Sequence, residues 1–81
     1  MEIDLDKLDK DVLALLYLTA FQQRKEFPWQ AWKGHDWEVL NRLHEKGFIH
    51  DPKNKNKSIT FTEEGIAESK RLFESKYEKG S

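Results

Sequence analysis

With 81 residues and a net charge of −1, the chain has room for one domain with a modest core, and its charge balance argues against a strongly electrostatic partner. A hydrophobic content of 37%, including 5 Phe, 3 Trp and 2 Tyr, is too rich for a disordered chain. The lack of cysteine excludes disulfide scaffolds, cysteine nucleophiles and cysteine zinc sites.

The first helix is expected over residues 6–22, capped by Asp4 or Asp6, with Asp9 and Asp11 favouring its positive end. Leu5, Leu8, Val12, Leu15 and Thr19 form one stripe at helical spacing, and Leu13, Leu16 and Ala20 a second beside it. With Leu18 and Phe21 the helix is apolar over most of its circumference. Such a helix is either wrapped by the rest of the domain or also serves a homodimer interface. Its apolar run, residues 12–18, is too short to cross a membrane. No basic segment precedes it, so no secretory signal is expected and the protein is read as cytoplasmic.

Residues 23–26 are polar and end the helix. Pro28 suits the first turn of a short helical piece over residues 27–34, and Gly34 can stop it. The aromatics Phe27, Trp29 and Trp32 fall in this piece. They either close the open end of the core or form an exposed patch for a partner protein. Burial is the expectation, because large apolar patches are uncommon on soluble monomers.

A second helix is expected over residues 36–46. Asp36 is the N-cap, Glu38 lies in the first turn, and Gly47 follows as the residue that ends it. Trp37, Leu40, Leu43 and His44 share one face, with Val39 at its margin. Glu38, Asn41, Arg42 and Glu45 occupy the other, where Glu38 and Arg42 have the spacing of a solvated ion pair. Phe48 and Ile49 then begin a hairpin whose return strand, residues 58–62, alternates Ile59 and Phe61 inward with Ser58 and Thr60 outward. The tip, residues 51–57, holds Pro52 and no apolar side chain. Thr62 caps a last helix over residues 63–77, with Ile66, Phe73 and Tyr77 on one face flanked by Ala67 and Leu72.

Little in the chain points to catalysis. His35 and His44 lie about 180° apart on an ideal helix and cannot share a metal, and His50 and Asp51 point to opposite faces of a strand. Neither a glycine-rich phosphate loop nor a serine elbow is present. No catalytic residue, metal or cofactor is expected.

Helix, hairpin, helix is the back half of a winged helix, and that topology sets out a nucleic-acid surface. The second helix would enter the major groove of double-stranded DNA, with Asn41 on adenine and Arg42 on guanine. Lys53, Lys55 and Lys57 at the hairpin tip would contact phosphates. The charge of the helix works against this, since Asp36, Glu38 and Glu45 outnumber Arg42 and Lys46. The lysine tip reads equally well as a solvated loop that blocks edge-to-edge aggregation.

The run Ala31-Trp32-Lys33-Gly34, Asp36-Trp37, and Leu43 to Ile49, together with Leu13 to Leu18 and Thr62-Glu63-Glu64-Gly65, resembles a family of small bacterial proteins classed only as a domain of unknown function. The resemblance covers nearly the whole chain. It implies a bacterial cytoplasmic protein and brings no established activity. The order of helix, Gly47-Phe48-Ile49, hairpin and Thr62-Glu63-Glu64-Gly65 is similar to the wing region of the MarR and PadR transcriptional regulators. Those families place a full helix before the recognition helix, where this chain has only residues 27–34.

The sequence therefore predicts a single α+β domain over residues 1–81 with winged-helix-like topology. That is a long helix, a short helical turn, a second helix, a two-stranded wing and a C-terminal helix. The leading expectation is a DNA-associated transcriptional regulator whose first helix is wrapped by the rest of the domain, with a homodimer through that helix as the second reading of it. The alternative is a protein–protein adaptor on the same fold, using Phe27, Trp29, Trp32 and the first helix.

Overall fold

The structure, a computed structural model, describes residues 2–32, 34, 36–53 and 57–79. Three helices and a two-stranded antiparallel sheet follow in the order α1 (Leu5–Leu18), β1 (Gln30–Trp32), α2 (Trp37–Glu45), β2 (Ser58–Thr60) and α3 (Glu63–Tyr77). This is a small α+β fold with a winged-helix-like arrangement.

The helix ends follow local chemistry. Asp4 caps α1 by accepting from the Lys7 amide at 3.1 Å, and Asp36 caps α2 by accepting from the Glu38 amide at 2.7 Å. At the end of α2 the Gly47 amide donates to the His44 carbonyl and the Phe48 amide to the Leu43 carbonyl, each at 3.0 Å. Gly47 has φ of 84°, so this is a Schellman ending with a left-handed glycine. Thr62 caps α3 by accepting from the Gly65 amide at 2.9 Å, while its own hydroxyl donates to the Gly47 carbonyl at 2.6 Å. One end of α2 is thereby tied to one end of α3.

Helix α1 stops at Leu18, earlier than the expected residue 22. Past Thr19 and Ala20 the backbone turns into a bridge, in which Phe21 and Gln30 exchange amide–carbonyl hydrogen bonds at 2.8 Å. Sheet pairing satisfies the groups that a longer helix would have used.

Residues 27–34 differ from expectation in kind. Instead of a short helical piece they contain β1, whose Gln30, Ala31 and Trp32 pair with Thr60, Ile59 and Ser58. Ala31 is buried beside its partner Ile59, and Trp32 is exposed. Strand β2 has two edges to satisfy, and the 48–50 segment covers the other with the Ile49–Phe61 bridge and a 2.9 Å bond from the His50 amide to the Thr60 carbonyl. Among the described residues the expected wing hairpin is thus a single bridge, and the regular ladder comes from β1.

The core gathers Leu13, Ala14 and Leu16 of α1, Val39, Leu40 and Leu43 of α2, Ala31, Ile49, Ile59 and Phe61 of the sheet region, and Leu72 of α3. On α3 the buried face is Gly65, Ser69 and Leu72, while Ile66 and Phe73 are half-buried and Tyr77 is exposed. Small residues at 65 and 69 let α3 approach its neighbours closely. The Ser69 hydroxyl donates to the Leu13 carbonyl at 2.5 Å, so burying it leaves no unpaired polar atom. On α1 the stripe Leu5, Leu8, Leu15 and Thr19 remains exposed, and the core takes the neighbouring face.

Candidate interaction surfaces

Asp9 lies on the α1 face that carries Leu13 and Leu16, and only 1% of it is exposed. Its carboxylate accepts from Arg42 Nε at 3.0 and 2.9 Å and from Lys46 Nζ at 3.0 Å. Lys46 Nζ also reaches Asp6 at 3.1 Å. Arg42 and Lys46 stand one helical turn apart on α2, so both cations face α1. Burial works to raise the Asp9 pKa, but the hydrogen bonds and charges of Arg42 and Lys46 outweigh it and hold the carboxyl below its ordinary range. The same hydrogen bond to Asp9 raises Arg42, against an opposing effect of burial. Lys46 is raised likewise, first by Asp9 and then by Asp6.

This network decides what α2 shows to solvent. Arg42, expected on the outer face with Glu38, turns toward α1, and Glu38 attracts it only at longer range. Asn41 is half-buried, and the exposed side chains around it are Trp37, Glu38, His44 and Glu45. His44 Nδ1 lies 3.0 Å from the Ile49 carbonyl. A carbonyl only accepts, so this nitrogen carries the proton.

At the hairpin tip Lys53 and Lys57 are exposed, and the Lys53 amide donates to the Asp51 carboxylate at 2.9 Å. Lys55 lies outside the described residues. Pro52 is buried and anchors the start of the tip.

The aromatic segment is divided. Trp29 is half-buried against the core, but Phe27 is 45% exposed and Trp32 58% exposed, contrary to the expectation that these rings close the core. Trp32 sits near the outer end of β1, where strand alternation turns it outward. Phe27 and Trp29 line a cleft of about 360 Å³ with Pro28, Phe61 and Ile66. Glu26, Glu63 and Lys25 stand among its polar walls. The loop that shapes it is braced from within. Gln22 Nε2 donates to the Lys25 carbonyl at 3.3 Å and the Phe27 carbonyl at 2.8 Å, and the Arg24 guanidinium lies 5.9 Å from the centre of the Phe27 ring. The Phe61 amide donates to the Trp29 carbonyl at 2.9 Å, which joins the loop to the sheet.

Sequence reasoning singled out Phe27 and Trp29 but not Phe61, Ile66 or, at the α1–α2 joint, Asp9. Phe61 and Ile66 enter the cleft from thirty or more positions away, a proximity that no local pattern encodes. Asp9 did leave a signal. It falls four residues after Leu5 and four before Leu13, so it is an acid in an apolar stripe, and such an acid needs a buried partner.

Among the described residues no helix is long and apolar enough to cross a membrane. A family described as a domain of unknown function, DUF6429, matches residues 4–79 of the chain. The chain is also similar to the uncharacterized protein y4hR of Sinorhizobium fredii (strain NBRC 101917 / NGR234), with 53% identity over 73 residues, which span 90% of this chain and 92% of that protein. No solved structure matches. With nearly its whole length matched, the chain belongs to the DUF6429 family.

Proposed function

We propose that this protein is a non-enzymatic protein-interaction module, and that its cleft takes an extended segment of a partner protein. The observation that carries this reading is the concave, aromatic-walled cleft of about 360 Å³ between the 22–29 loop and the start of α3. Recognition surfaces for extended peptides commonly combine aromatic walls with a few polar groups at the rim. Here Phe27, Trp29 and Phe61 supply apolar walls, and Glu26 and Glu63 outnumber Lys25 among the charged wall residues. The chemistry suits a segment with an apolar or proline side chain next to a lysine or arginine. The bracing by Gln22 lowers the ordering cost of binding.

The test is selection from a displayed random-peptide library on the wild-type protein, followed by titration of the selected peptides with Trp fluorescence as the readout. Enrichment of basic apolar segments, with binding reduced at least tenfold by Phe27→Ala, supports the reading. Selected peptides that bind the Phe27→Ala variant equally well overturn it.

A second reading, DNA association, is favoured by the exposed lysines Lys53 and Lys57 at the tip. Lys53, Lys55 and Lys57 would contact phosphates, and Asn41 would face a base edge. Arg42 would first have to leave Asp9, which makes base reading by this residue costly. Titration against random duplex DNA at low salt separates the two readings. Binding that disappears on replacing the three lysines by Gln favours DNA, and no binding at low salt removes it.

A further inference from the structure

The aromatic loop shapes a second hollow beside the cleft. Phe27 and Pro28 also wall a depression of about 200 Å³, whose remaining lining is Gln23 and Gln30. The two hollows therefore meet at the Phe27–Pro28 ridge. Their chemistry differs. Lys25, Glu26 and Glu63 line the cleft, and no charged side chain lines the smaller hollow. Arg24, the neighbour of Gln23, lies against the Phe27 ring. Gln30 is fixed by the sheet. Its backbone amide and carbonyl are both bonded to Phe21, and strand alternation turns its side chain away from the core that Ala31 enters. Gln23 comes from the loop, next to Gln22, whose carboxamide braces that loop. Among the described residues neither the Gln23 nor the Gln30 carboxamide makes an intramolecular hydrogen bond. Each brings two N–H donors and a carbonyl acceptor to the lining.

We propose that this hollow is a second subsite of the peptide surface, and that it takes an asparagine or glutamine side chain two positions from the residue that fills the cleft. The proposal rests on the reading of the cleft as a peptide site. In an extended segment, side chains two positions apart point the same way and lie about 7 Å from each other, which suits two hollows that share one ridge. The residue between them points the other way, so the lysine or arginine beside the anchor stays at the rim with Glu26 and Glu63. The lining selects the class of side chain. A carboxamide offers donors and an acceptor together, and so uses both kinds of group on Gln23 and Gln30. A carboxylate or an ammonium group would use only one kind, and would lose hydration with no opposite charge in the lining. An aliphatic side chain would cover the two carboxamides and leave them unpaired. Gln23 and Gln30 thus set specificity at this position.

Peptides selected on the wild-type protein from a displayed random library test the proposal. Those that depend on Phe27 should be enriched in Asn or Gln two positions from the apolar anchor. One such peptide and its alanine analogue at that position are then titrated against wild type, Gln23→Leu and Gln30→Leu. The alanine analogue should bind wild type more weakly, by a factor on the order of ten, and should differ less than twofold from the parent peptide on either variant. Equal binding of the alanine analogue to wild type and to both variants shows that the variants are folded. The enrichment is read on wild type alone, so the test stands even if a variant fails to fold. Phe27-dependent peptides with no carboxamide preference overturn the second subsite and leave the reading of the cleft in place. The same loss on wild type and on both variants overturns the roles of Gln23 and Gln30. A library that yields no binder, or only binders indifferent to Phe27→Ala, overturns the subsite and the cleft reading together.

Discussion

The carboxylate of Asp9 on α1 receives Arg42 Nε of α2 on both of its oxygens, at 3.0 and 2.9 Å, although the two residues are 33 positions apart. Lys46 joins from the next turn of α2. The most basic residues of α2 thereby become part of the joint between two helices. This relationship connects stability to function, because cations held here are withheld from the solvent face.

Removing the acid should be costly. Asp9→Ala leaves two cations near the α1–α2 joint without their shared partner, and a loss of about 3 kcal/mol is expected. Urea denaturation should show it as a lower midpoint at unchanged slope. A loss below about 1 kcal/mol would mean that water replaces the carboxylate without penalty.

The same pair sets an acid limit. The Asp9 carboxyl lies below its ordinary value in the folded state, so the unfolded chain binds a proton at higher pH than the folded one. Its contribution is fully present above about pH 4 and is lost as pH falls through the lowered folded value. Glu68, lowered by its hydrogen bond to Arg71, acts in the same direction from a more exposed site. Thermal melts between pH 6 and pH 2 should fall steeply below about pH 4, and the fall should be shallower in Asp9→Asn.

Two glycines should respond differently to alanine. A Cβ at Gly65 would sit 1.6 Å from the Phe48 carbonyl oxygen, which is backbone and cannot rotate away. The helix-propensity gain of about 1 kcal/mol is expected to be outweighed, with a net loss of about 2 kcal/mol or more. At Gly47 nothing lies within 4 Å of the added carbon, and only the left-handed backbone opposes it. Gly47→Ala should cost about 1 kcal/mol. Chemical denaturation of the two variants gives the order directly, and the reverse order would show that α3 can shift away from Phe48.

The buried hydroxyl of Ser69 offers a milder probe. Ser69→Ala removes a hydrogen bond to a carbonyl of α1 and leaves that carbonyl, which also serves its own helix, partly satisfied. A loss of about 1 kcal/mol is expected in urea denaturation. An unchanged midpoint would show that the bond is replaced at no cost.

Much of this architecture is legible along the chain because it is local. Asp36 as N-cap, Gly47 as the left-handed stop and Thr62 as the cap of α3 each act within four residues of the group they satisfy, so short-range chemistry is enough to place them. The alternation at Ile59 and Phe61 likewise follows from strand geometry alone. What only the tertiary structure decided is which partners meet across the chain. Residues 30–32 become a strand because β2 has an open edge, not because of their own propensity. Arg42 turns inward because Asp9 waits on another helix, and Ser69 is buried because Leu13 offers a carbonyl. A polar residue is interior or exterior according to whether a distant group can satisfy it, and that distance is set only once the helices have packed.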